Sequence, residues 1–171
     1  RNKKIINIVK KLLGGSVRFH HCKLNFKLPS KKGGEVNWHQ DWAFYPHTND
    51  DLITVGIYLE DCYEENGPLQ VIPKSHKLKI FNHHNKNKEF VGKICEKINL
   101  KNKQSLTGKA GTVTFHHVRT VHGSGLNLKN SKRPLMLFGY TNTDAWPLTS
   151  DASVNPNEDF EKYNKCINVK K

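Results

Sequence analysis

With 171 residues, 36% of them hydrophobic, and no run of eighteen apolar positions, the chain has the size of one domain and excludes a membrane-spanning helix. Its net charge of +13 invites a nucleic-acid reading, yet 24 of the 28 basic residues are Lys and few aromatics lie among them, so guanidinium forks and stacking platforms are scarce and nucleic acid is not the expected partner. The charge is also uneven, with ten basic and no acidic side chains in residues 1–32 but eight acidic and no basic ones in residues 33–73.

The chain opens on a basic stretch without an initiator Met, and its apolar run is too short for a signal peptide, which reads as an N-terminally incomplete fragment of one domain spanning 1–171. Residues 3–13 have the pattern of a short amphipathic helix ended by Gly14-Gly15. In residues 17–28 the period becomes two, Leu24, Phe26 and Leu28 alternating with Lys23, Asn25 and Lys27, as in a strand. A loop over 29–34 leads to an expected strand over 36–42, and the β-branched run 52–59 suits a buried strand. Glu64-Glu65-Asn66-Gly67 reads as a turn before a short strand at 69–72.

Residues 76–107 are rich in Lys, Asn and His with weak periodicity, and are expected to be a polar insertion, partly helical around 89–98. Strands follow at 111–115 and 133–141, separated by a turn-rich connection over 123–132, and residues 149–171 read as a loose tail. The core is expected within about 17–148. Many short strands between turn signals indicate a mainly β barrel or sandwich with minor helices. Cys22, Cys62, Cys95 and Cys166 are scattered without a C-x-x-C pair, as in a reduced, cytoplasmic protein.

The chemistry concentrates in four positions. His39 and Asp41 are spaced i, i+2, which on a strand puts both on one face with Gln40 opposite. Ten His and fifteen carboxylates produce about one such pair by chance, so alone it is weak. His122, before Gly123-Ser124-Gly125, and Arg133, eleven residues on, change that. Two His and one carboxylate form the facial ligand set of non-haem Fe(II) oxygenases, and an arginine nearby suits a carboxylate cosubstrate. Arg133 could reach the site from the partner strand of a hairpin. His20-His21, His83-His84 and His116-His117 are rival ligands; on a strand each pair offers at most one inward imidazole, and His83-His84 is expected to be solvated. Phe44, Tyr45 and Trp146 are candidates for a pocket wall, with core packing the equal alternative, and Asn66-Gly67-Pro68 and Pro73-Lys74-Ser75-His76 read as turns.

Trp38-His39-Gln40-Asp41, the run Glu65 to Lys77 (ENGPLQVIPKSHK), and Val121-His122-Gly123-Ser124-Gly125-Leu126-Asn127 through Arg133 resemble the phytanoyl-CoA dioxygenase superfamily, over about Phe19 to Leu148. The resemblance implies a double-stranded β-helix (jelly-roll) core and a hydroxylase of a small-molecule or acyl substrate that uses Fe(II), 2-oxoglutarate and O2 and releases succinate and CO2. It implies that His39, Asp41 and His122 hold the metal, that Arg133 pairs with the far carboxylate of 2-oxoglutarate helped by the Ser124 hydroxyl, and that Lys27 lies near the cosubstrate. A carboxylate at Asp41 argues for hydroxylation over halogenation, since a halide would need its coordination position. The alternative is a catalytically degenerate jelly-roll serving as a metal-binding or interaction module. The substrate and the oligomeric state are not legible.

Overall fold

The computed structural model describes residues 2–30 and 34–148, so the expected tail at 149–171 lies outside the described residues. Helix α1 (Lys3–Leu13) starts where the Asn2 side chain accepts from the Lys4 and Ile5 amides and stops at Gly14 in the left-handed conformation. Eight strands follow: β1 (Val17–Lys27), β2 (Val36–His39), β3 (Leu52–Tyr58), β4 (Leu69–Val71), β5 (Gln104–Leu106), β6 (Val113–His117), β7 (His122–Ser124) and β8 (Arg133–Asn142).

They form two antiparallel four-stranded sheets, a major one in the order β1-β8-β3-β6 and a minor one in the order β2-β7-β4-β5. Consecutive strands mostly alternate between the sheets, which is the winding of the expected jelly-roll. The apolar stripe of α1, with Val9 and Leu13 buried, packs on Ile53 and Val55 of β3, flanked by Phe115, Phe138 and Tyr140. Burying Val9 completely contributes roughly 1.5–3 kcal/mol. A second cluster gathers Trp42, Ala43, Leu52, Val118 and Ala145, and a third joins Tyr58, Cys62, Leu135 and Leu137. Among the described residues no helix is long and apolar enough to cross a membrane.

Three expectations need correction. The strand expected over 36–42 stops at His39, and Asp41–Ala43 form a 3-10 turn instead. No helix forms around 89–98, because that stretch is tied down residue by residue: Val91 donates to His83 O, Ile94 to Trp38 O and Cys95 to Asn82 O. Its Lys and Asn face solvent while His83 and His84 are buried rather than solvated, packed on the Phe90 ring. In β1 it is the polar side that turns toward the cavity. Lys27 is buried and Lys23 and Asn25 line the interior cavity, whereas Leu24 and Phe26 are 43% and 50% exposed. As an edge strand, β1 has neighbours on one side only, where Leu24 and Phe26 lie beside Met136 and Pro134 of β8, and its polar face is left to the space between the sheets.

Candidate metal centre

His39 closes β2 and pairs directly with His122, which opens β7, setting their rings 4.1 Å apart between centroids. Such close approach needs Gly123: a Cβ there would meet Val36 O at 2.7 Å. Asp41 reaches the pair from the 3-10 turn, its Oδ1 lying 3.6 Å from the Nε2 of each histidine. So the i, i+2 strand argument fails for Asp41 while its conclusion holds. One donor atom from each of His39, Asp41 and His122 falls within 4.8 Å of the others.

What turns the chain is Gln40, which is fully buried. Its side-chain amide donates to Arg119 O (2.8 Å) and Lys79 O (3.3 Å), its Oε1 accepts from Phe81 N (2.8 Å), and its backbone N–H donates to His83 Nε2 (3.1 Å). The residue between the two candidate ligands is therefore a rivet into the 79–83 segment and the loop before β7.

The imidazoles are oriented for metal. His39 Nδ1 bonds Asn37 O at 2.8 Å and His122 Nδ1 bonds Thr120 O at 2.9 Å, so each Nδ1 carries the proton and each Nε2 is a free lone pair. Asp41 is similarly steered. Its Oδ2 accepts from Thr54 Oγ1 at 2.9 Å and lies 3.4 Å from His116 Nε2, leaving Oδ1 toward the histidines. Burial would raise the Asp41 pKa, but the facing His122, with contacts from His116 and His39, brings it well below the ordinary carboxylate range. Burial, with His39 beside it, holds His122 well below the usual imidazole value. An ionised Asp41 beside an imidazole that resists protonation suits a divalent metal, which needs both lone pairs free.

Arg133 does not come from a hairpin partner of β7, as the spacing allowed: β7 lies in the minor sheet and β8 in the major, so it faces the ligands across the cavity. Its guanidinium is buried over the Tyr58 ring, and its Nε and Nη1 have no hydrogen-bond partner among the described residues. Ser124 Oγ, on β7, is also buried and unpartnered. Donors orphaned in an enclosed space are costly, at roughly 1–3 kcal/mol each, unless an acceptor enters. Both chemistries therefore fit an iron ion at the triad and a carboxylate between Ser124 and Arg133. Lys27 pairs in register with Arg133 and donates to Gly34 O at 2.6 Å; burial, and then Arg133, push its pKa down to about 8.

The aromatic candidates separate. Phe44 packs edge-on to His39 (5.6 Å between centroids) and to Phe90, and Tyr45 packs against His21 (4.9 Å). Trp146 is 59% exposed, under the Arg18 guanidinium, and none of the three lines the cavity, so Phe44 and Tyr45 pack behind the histidines. The sequence reading left open which member of each His pair turns inward. In β6 it is His116; in β1 a bulge between Phe19 and His21 lets both rings turn the same way, His20 Nδ1 lying 2.6 Å from His21 Nδ1. Sequence reasoning missed Gln40, Thr54 and His116 as supports. The one available signal was the alternation Thr114-Phe115-His116, which puts the polar pair on a common face.

Residues 2–135 match the family model described as Phytanoyl-CoA dioxygenase (PhyH). The chain is 46% identical over 157 residues to a probable alpha-ketoglutarate-dependent hypophosphite dioxygenase of Stutzerimonas stutzeri, covering 86% of this chain and 53% of that protein. It is 31% identical to an L-proline trans-4-hydroxylase of Streptomyces griseoviridis, covering 84% of this chain and 63% of that protein. The chain thus spans about half the length of the first of these and under two thirds of the second. Among solved structures, a non-heme monooxygenase in its apo form superposes with a TM-score of 0.74 at 22% identity, over 85% of this chain and 54% of that one, and shares the fold.

Proposed function

The chain belongs to the phytanoyl-CoA dioxygenase family, and from that premise we propose that it is an Fe(II)- and 2-oxoglutarate-dependent dioxygenase that hydroxylates a small molecule, with residues 17–148 as its core. His39 Nε2, His122 Nε2 and Asp41 Oδ1 hold the metal on one side. Arg133, Ser124 and, more peripherally, Lys27 hold the far carboxylate of 2-oxoglutarate. When bound, the metal and cosubstrate supply the activation of O2, in which 2-oxoglutarate becomes succinate and CO2 and one oxygen atom enters the substrate.

The protein's own contribution is orientation. The Thr54 hydroxyl ties up one oxygen of Asp41, with His116 beside it, so the carboxylate would offer a metal its other oxygen and occupy the place a halide would need, in keeping with hydroxylation rather than halogenation. Leu69, Leu135 and Leu137 wall the cavity and limit water around Arg133, which strengthens its pairing with a carboxylate. Phe44 props the His39 ring. The free thiols Cys22, Cys62 and Cys95 suit a reducing, cytoplasmic setting, and the exposed lysines serve solubility rather than nucleic-acid binding.

The observation that carries this reading is the coincidence of a buried triad with orphaned Arg133 and Ser124 donors across one cavity. An anaerobic difference spectrum on adding Fe(II) and 2-oxoglutarate tests it. A visible charge-transfer band, abolished in His122→Ala and weakened in Arg133→Ala, is expected. A folded, iron-loaded sample with no band would instead identify a degenerate metal-binding jelly-roll.

A further inference from the structure

We infer that the substrate seat beside the triad is an oxyanion site, with His116, His21 and Lys23 as its specificity-determining residues, so that the substrate is a compact monoanion; this rests on the dioxygenase reading above. Three independent features converge on it.

The first is the polar face of β1. His21, Lys23 and Asn25 line the cavity while Leu24 and Phe26 point away. A one-residue slip would have turned the apolar set inward. A strand that presents imidazole, ammonium and amide to a ligand space is built for hydrogen-bond acceptors and not for an acyl chain. The cavity is also small, about 90 Å³.

The second is charge. Among the residues lining the cavity Asp41 is the single acid, against Lys23 and Arg133. With the ferrous ion and the 2-oxoglutarate dianion in place, one positive charge stays unbalanced. Lys23 is exposed at the cavity rim, so this excess acts by attracting an anion into the seat. A neutral substrate would leave it, and a cationic one would add to it.

The third is His116. It is 6% exposed, lines the cavity, and neither ring nitrogen makes a hydrogen bond among the described residues; its nearest polar neighbour is Asp41 Oδ2 at 3.4 Å. An Nε2–H would face Asp41, so it is the Nδ1–H tautomer, with Nδ1 unpartnered, that offers a donor away from the carboxylate. His21 is fixed opposite by its neighbours. The Nδ1 contact to His20 and the Tyr45 ring hold it, and it lies flat across Gly139, where a Cβ would meet its Cε1 at 2.6 Å. Its Nε2 has no hydrogen bond among the described residues.

The test is calorimetric titration of sodium hypophosphite, and separately sodium formate, into anaerobic protein loaded with Fe(II) and 2-oxoglutarate, with the visible band recorded on each sample. At least one monoanion is expected to bind, and Lys23→Met to raise its Kd tenfold or more with the band intact, Lys23→Arg restoring most of the affinity. His116→Gln is expected to weaken binding similarly. Lys23 sits exposed on an edge strand, so its variants test the idea even if His116 variants fold poorly. The two anions separate a phosphorus oxyanion from a carboxylate as the preferred chemistry. Unchanged affinity in both Lys23→Met and His116→Gln, or no binding of either anion while the band is present, overturns the oxyanion seat and leaves the dioxygenase standing. A missing band in the parent protein overturns both.

Discussion

The two sheets hold their functional residues by opposite means. The minor sheet carries His39, His122 and Ser124 on strands of three or four residues, too short to be rigid through their ladders alone. Their precision comes from outside the sheet, from the Gln40 rivet and from Nδ1 bonds to neighbouring carbonyls. The major sheet carries Lys27, Thr54, His116 and Arg133 on longer strands, of five to eleven residues, under α1. There, a ten-residue ladder and an apolar layer fix the backbone, and side chains can be left unpartnered for ligands. The candidate metal ligands are set by polar pins, and the residues proposed for cosubstrate and substrate by sheet architecture.

Substitutions can break or sharpen that contrast. The largest effect is expected at Arg133. In Arg133→Met the KM for 2-oxoglutarate should rise roughly 30-fold to several-thousand-fold, from the ~2–5 kcal/mol a buried charged hydrogen-bond partner carries. The same variant without ligand should be more stable by about 1–3 kcal/mol in denaturant titration, because orphaned donors are gone. If it is less stable, those donors are satisfied in the free protein and the sheet does not store them for a ligand.

Gln40→Ala comes next. Losing three side-chain hydrogen bonds should cost about 2–4 kcal/mol and weaken Fe(II) binding roughly 10–100-fold, measured by metal titration. Loss of stability with unchanged iron affinity would show that β2 and β7 position the ligands unaided. Val55→Ala, in the layer under α1, is the control from the other sheet. A cost of about 1–3 kcal/mol is expected with iron affinity and the visible band unaltered.

The smallest effect is the pH dependence at Lys27. Its pKa in the folded protein, about 8, lies below the ordinary 10.5, so burial of the ammonium opposes folding below about pH 8 and that opposition fades as pH rises toward 10.5. Stability relative to Lys27→Met should rise across that window, while 2-oxoglutarate affinity of the free enzyme should fall through about pH 8 in the parent and stay flat in the variant.

The family and the jelly-roll class were legible in the motifs, and the four residues singled out, His39, Asp41, His122 and Arg133, come together around one cavity, because ligand chemistry restricts residue types and the motif fixes their order. Their support was not. Gln40 reads as a spacer, since nothing local marks an amide that bonds Lys79, Phe81 and Arg119. The face of β1 was illegible for a different reason. Alternation shows that a strand has two faces, and only its place at the sheet edge, over a polar cavity, decides which one turns in. His83 and His84 misled in the same way, because a Lys- and Asn-rich neighbourhood describes the solvent side of a segment and not what it packs upon.

The β1–β8 ladder has a consequence for how the chain acquires its shape. It runs from Val17 opposite Asn142 to Lys27 opposite Arg133, joining segments more than a hundred residues apart. Contacts of that span are entropically late, and a sheet dominated by them forms slowly. During synthesis β1 must wait for β8 to emerge from the ribosome, and His39 and Asp41 wait for His122. The candidate ligand set is therefore complete only after His122 is made, too late for a metal to template the early stages of folding. In the interval Leu24 and Phe26 lie on an unpaired strand edge, and Lys23 and Lys27 on either side of them are the charges that discourage it from pairing with another nascent chain.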